Sequence, residues 1–104
     1  MKSIAQRART LEAKFAHDQE VHFKVEAQRN KLMGLWAASL MNRQDADTYA
    51  DDLCLYGVEQ PEGVLNRLKQ DLEGAGVRIG EDVIHSQMVT LLRQAHEVLH
   101  TNGH

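Results

Sequence analysis

The chain has little of what staples or punctuates a small domain. It has one cysteine, Cys54, in 104 residues, which excludes an internal disulfide framework and suits a reducing cytosol. It has one proline, Pro61, so nothing in the first half of the chain forbids helix. Aromatics are limited to one Trp, two Tyr and two Phe, enough for a modest core but not a large one. No apolar run approaches the ~20 residues of a membrane helix. The opening MKSIAQRART lacks the apolar stretch of a signal peptide, and the expected location is cytoplasmic. Gly74-Ala75-Gly76 lacks the lysine that follows the glycines of a phosphate-binding loop. The net charge of −3 argues against general nucleic-acid binding.

What is present is helical pattern. Hydrophobic residues make up 42% and charged residues 26%, and no strand alternation, repeat or low-complexity tract appears. Four helices are expected. Nothing stops the first between Ser3 and Met41, and Gly34 only weakens it locally. The second is expected from Ala46 to about Tyr56, with Asp45 as N-cap and Gly57 as its stop; Tyr49, Ala50 and Leu53 share one face. Pro61 suits the first position of the third, followed by Val64, Leu65, Leu68 and Leu72 and closed by Gly74 and Gly76. The fourth starts near Glu81 and carries Ile84, Met88, Leu91, Leu92, Ala95 and Leu99 to Asn102-Gly103. The expected architecture is all-α, a small four-helix bundle. Its core is expected from Leu32, Leu35, Trp36, Leu53, Leu65, Leu68, Ile84, Met88, Leu91 and Leu92, with Trp36 as anchor.

Length makes the first helix awkward. A continuous helix from Ser3 to Met41 would run ~58 Å, whereas a compact domain of ~100 residues has a radius of gyration of ~13 Å. The front must project, fray or fold back. Ile4, Ala8, Leu11 and Phe15 make a narrow apolar stripe that continues into Asp18, His22, Glu26 and Arg29 and turns apolar again at Met33, Trp36 and Leu40. Buried unpaired charge is costly, so one helix carries two separate contact surfaces. The front stripe suits either a recognition helix laid into a partner's groove or packing back on the bundle. Charge is asymmetric too: residues 1–31 carry +3 and residues 44–104 carry −7. The front therefore attracts the rear or an acidic partner, unless it is simply a solvated helix of mixed charge.

His96-Glu97-Val98-Leu99-His100 spells H-E-x-x-H, in which two histidines one turn apart bind zinc and the glutamate acts as base. Such a site needs a third ligand and a cleft. Only His104 is available downstream, and helical phase turns His85, His96 and His100 toward water. A solvated, histidine-rich helix end, favoured by the dipole when protonated, is the expected reading. A metal-dependent hydrolase would instead carry tight stoichiometric zinc. Cys54 has no basic neighbour in sequence and is expected to be an inert, packed or half-exposed thiol. No catalytic or metal residue is expected.

The blocks Glu12 to Asp18 (EAKFAHD), Phe23-Lys24, Arg29 to Leu32 (RNKL) and Gly34 to Ala38 (GLWAA) resemble, in order and spacing, the zeta-subunit family of alpha-proteobacterial F-type ATP synthases. The turn DLEGAGV from Asp71 to Val77 fits as well. The resemblance implies a non-enzymatic inhibitor whose N-terminal helix enters the catalytic α/β interface beside the rotor stalk and blocks ATP hydrolysis. The implied partners are the synthase α, β and γ subunits. The matching contact positions are Ile4, Arg7, Leu11, Lys14 and Phe15. It further implies one helical domain over 1–104, with 1–17 a candidate mobile inhibitory segment and 18–104 the bundle, monomeric when free and peripheral to the inner membrane when bound. The basic opening Ile4 to Thr10 departs from the acidic opening common in the family. No cofactor is expected; weak adenine-nucleotide binding is considered for the family, and no residue here locates a site. The rival reading is a cytosolic helical module that binds a nucleotide or metabolite without touching the synthase.

Overall fold

The computed structural model describes the backbone over residues 4–102 and side chains over 17–99. It has four helices: α1 Ile4–Leu40, α2 Ala46–Glu59, α3 Val64–Gly74 and α4 Glu81–Asn102. No strand occurs among the described residues. α1 packs on α2 and on α4, α3 bridges to the other three, and among the described residues α2 and α4 make no close backbone approach to each other.

Two of the helices stop in the same way. Asn42 takes φ 55° and Gly76 takes φ 80°, the left-handed conformation that tolerates Asn and favours Gly. Behind α1, Arg43 N–H donates to the Ala38 carbonyl (2.9 Å) and Asn42 N–H to Ser39 (3.2 Å). Behind α3, Val77 N–H donates to Leu72 (2.9 Å) and Gly76 N–H to Glu73 (3.0 Å). Both are Schellman closures, which satisfy the last carbonyls of a helix. Asp45 does occupy the N-cap position of α2, but its side chain makes no cap hydrogen bond. Arg43 takes the carboxylate instead, Nε and Nη2 donating at 2.8 and 2.7 Å, and this bond holds Asp45 below the usual carboxylate range.

Two punctuation marks act differently from expectation. Gly57 does not stop α2; it lies buried inside the helix, where a Cβ would run into the buried Asn30 side chain of α1. Pro61 does not open α3. It follows Gln60 in a turn closed by Gly63 N–H to the Gln60 carbonyl (3.0 Å), the i+1 position that proline's fixed φ suits, and α3 begins at Val64 with Gly63 as its N-cap.

The core is built from Met33, Ala37, Ala38, Tyr49, Leu53, Val64, Leu68, Leu72, Ile84 and Leu91. Of the expected members, Leu53, Leu68, Ile84 and Leu91 are buried in it, and Leu32, Trp36, Leu65 and Met88 pack against it half-covered. Leu35 and Leu92 are half-buried outside that cluster, and Leu40 is exposed. Trp36 is therefore a flank, not the anchor; Met33, fully buried, holds the centre. The reason lies at Gly34. A Cβ there would sit 2.5 Å from Ala50 Cα and 2.9 Å from Ala50 Cβ, so α1 and α2 cross nearly backbone to backbone. A seam so close has room for Gly34, Ala37, Ala38 and Ala50, and the indole is left at its edge.

A polar clasp ties α2 to α3. Tyr49, 4% exposed, donates its hydroxyl to Asp71 Oδ2 at 2.7 Å, and Arg67 approaches the same carboxylate at 3.5 Å. Arg43 lies 4.7 Å from the Tyr49 ring centre. Burial, then the Asp71 carboxylate, pushes the Tyr49 phenol well above its ordinary range. The neutral phenol is thus the form the fold stabilises. That contribution is complete below about pH 10, where the unfolded tyrosine is also neutral, and is lost as pH rises toward the folded value. Tyr49→Phe is expected to lose about 1.5–3 kcal/mol, the worth of a hydrogen bond to a charged acceptor. In urea melts the wild-type advantage over Tyr49→Phe should be larger at about pH 8 than at about pH 11.

Candidate functional site: the front of α1

α1 is a single helix of 37 residues, ~55 Å long at 1.5 Å per residue. The molecule measures 64 × 25 × 23 Å, with a radius of gyration of 17.4 Å, against the ~13 Å of a compact chain this size. His17, Asp18, Gln19 and Glu20, a full turn, are all exposed. α1 runs forward from this turn as one piece, with His17 and Asp18 still bordering a groove beside His96 of α4. Of the three outcomes that length allowed, an unbroken backbone excludes folding back at a break. The five expected contact residues, Ile4, Arg7, Leu11, Lys14 and Phe15, lie on this helical backbone; their side chains fall outside the described residues.

The root of this arm is stiffened locally. Lys24 Nζ donates to Glu20 Oε1 at 2.9 Å and His22 Nε2 lies 3.1 Å from Glu26 Oε1, both one turn apart on α1, the spacing at which exposed pairs support a helix. The Lys24 hydrogen bond holds the Glu20 carboxyl below its ordinary range. Toward the rear, Lys31 reaches Asp51 of α2 at 3.8 Å, one contact of the basic front with the acidic remainder.

Asp18 and His22 are exposed and Glu26 and Arg29 half-exposed, as the cost of burying unpaired charge requires. The gap between apolar surfaces is nonetheless bridged one row over. Val25 is buried at 4% exposure and Val21 is half-buried, and both line a groove against α4 with His17, Asp18, His22 and His96. By helical phase Val21 and Val25 sit ~60° from the Asp18–His22 row. A strict reading of one row skips them.

That groove also corrects the reading of the H-E-x-x-H. His85 is exposed, as expected, but His96, though exposed, stands at the groove rim rather than facing open water alone. Glu97 and Val98 are exposed and Leu99 half-buried, while the His100 side chain falls outside the described residues. Among the described residues no group of three or more His, Cys, Asp or Glu could hold a metal ion. Cys54 is half-buried, its thiol donating to the Ala27 carbonyl at 3.4 Å.

A second crevice lies across the arm's root from α4, where α2 ends beside α1. Phe23, Ala27, Val58 and Pro61 line it, with Glu26 and Arg29. Phe23 and Val58 are 53% and 51% exposed. Sequence patterning passes over this surface, because its apolar members come from two helices and make no stripe on either.

Among the described residues no helix is long and apolar enough to cross a membrane. No curated protein matches the chain. The family model for ATPase inhibitor subunit zeta matches residues 1–98, and the chain belongs to that family of inhibitors.

Proposed function

We propose that the chain inhibits the F-type ATP synthase by inserting the front of α1 into the catalytic α/β interface beside the rotor stalk. The observation that supports this reading is α1 itself: one unbroken helix of 37 residues, longer than each of the helices of 14, 11 and 22 residues that pack with it. Ile4, Arg7, Leu11, Lys14 and Phe15, the contact positions the family resemblance implies, recur at helical spacing along that arm. The bundle anchors the arm and keeps it helical, so less ordering entropy is lost on binding than for a free peptide.

The mechanism is occupation. Each catalytic interface must open and close once per cycle, and a helix wedged there holds one state. No chemistry of the chain's own is involved. Blocking hydrolysis while sparing synthesis requires tighter binding to the state visited during hydrolysis, because equal affinity for all states shifts nothing. In this reading the protein is cytoplasmic, monomeric when free, and peripheral to the inner membrane when bound. The test is co-purification from native membranes with a tagged chain. Recovery of the synthase α, β and γ subunits is expected; recovery of none of them refutes the assignment.

A further inference from the structure

We propose that the shoulder formed by Phe23, Val58 and Pro61 at the root of the arm is a second contact with the ATPase that receives the arm. This rests on the arm reading above and extends it to the bundle.

The inference begins with direction. The Cys54–Ala27 hydrogen bond, the Lys31–Asp51 pair and the crevice joining Phe23 to Val58 and Pro61 run α2 antiparallel to α1. The C-terminal end of α2 therefore points the way the arm points. On the other flank His96, near the end of α4, meets His17 and Val21. The end of α2 and the last turns of α4, which runs past His96 to Asn102, together form a collar around the root of the arm. A bare helix is ~10–12 Å across, whereas the short dimensions of the molecule are 25 and 23 Å. A cleft that admits the arm does not admit the bundle, so the collar comes to rest against the cleft mouth. Because α1 is unbroken from Ile4 to Leu40, the arm's insertion fixes where the collar lands.

The two sides of that collar differ in chemistry. The α4 side presents imidazoles and Asp18 around Val21. The α2 side presents Phe23, Val58 and Pro61, with Glu26 and Arg29 at the crevice edge. Single exposed apolar residues are ordinary on a protein surface. Here an aromatic, a branched aliphatic and a proline share one crevice, the mix of apolar centre and charged edge found in protein–protein contacts. Glu26 and Arg29 also continue, by helical phase, the face that carries Ile4, Leu11 and Phe15. The occupant is therefore the same protein that holds the arm, reached from the arm's face across the Glu26–Arg29 edge, with Phe23 ~100° around α1 from that face.

The test compares inhibition of synthase ATP hydrolysis by four full-length chains: wild type, Leu11→Asp/Phe15→Asp, Phe23→Asp/Val58→Asp and Val58→Asp alone, each with its thermal unfolding. The shoulder pair is expected to raise the inhibition constant at least tenfold with an unchanged melting temperature, and Val58→Asp alone to raise it severalfold. If the arm pair abolishes inhibition while both shoulder variants inhibit like wild type, the shoulder proposal is overturned and the arm reading stands. If the arm pair inhibits like wild type, the arm reading fails and takes this proposal with it. Should Phe23→Asp lower the melting temperature, Val58→Asp decides alone, being at a half-exposed position near the end of α2: normal inhibition by that variant overturns the proposal.

Discussion

Replacing Leu11 and Phe15 together by aspartate is expected to abolish inhibition and leave the fold intact. Burying a Leu or Phe side chain is worth ~1.5–3 kcal/mol, so the pair should cost the complex at least ~3 kcal/mol, over a hundredfold in affinity. The substitution also lowers the charge of residues 1–31 from +3 to +1. The free protein should change by no more than ~0.5 kcal/mol, as substitutions on exposed surface do. The opposite pattern has a distinct signature. If these side chains fold against the bundle, the same pair lowers stability by several kcal/mol and shifts the melting temperature clearly.

The second large effect is expected at Gly34. Gly34→Ala improves helix propensity by ~1 kcal/mol, and on propensity alone it stabilises α1. The added methyl group, however, would lie 2.5 Å from Ala50 Cα. That atom is backbone and cannot rotate away, so α1 and α2 must separate along their closest seam. Overpacking of this kind costs ~1–3 kcal/mol and sometimes more, and it also opens the contacts of Met33 and Leu53 beside it. A net loss of about 2 kcal/mol or more is expected by urea denaturation. Gly74→Ala is the control. A methyl group at Gly74 would meet nothing within 4 Å, and the backbone there is not left-handed, so the change should be neutral or stabilising by up to ~1 kcal/mol. Equal effects at the two glycines would show that Gly34 is not the crossing point.

Sequence is legible where local chemistry decides and illegible where helices meet. The four helices follow from period and breakers, and the Gly76 stop follows from the left-handed demand of a Schellman closure. The Asn42 stop is of the same kind but has no glycine to announce it. Gly57 and Pro61 mislead because each has two uses: Gly57 admits Asn30 from another helix, and Pro61 serves a turn rather than a helix start. Trp36 suggests an anchor by its size, whereas the close approach at Gly34 and Ala50 puts small residues and Met33 at the centre. For the site, the apolar spacing of Ile4, Leu11 and Phe15 and the family resemblance point to the arm. The shoulder is not legible, since Phe23 and Val58 become neighbours only once α2 is laid antiparallel on α1.

The most direct test of the arm as inhibitor is a titration of ATP hydrolysis by the isolated synthase with residues 1–104 and with residues 18–104. Val25, Met33 and the rest of the buried core lie within the shorter chain, so it should unfold cooperatively at nearly the same temperature. The longer chain is expected to stop hydrolysis and the shorter, at equal concentration, to leave it running. Equal inhibition by a folded 18–104 would move the inhibitory contact out of the arm and into the bundle.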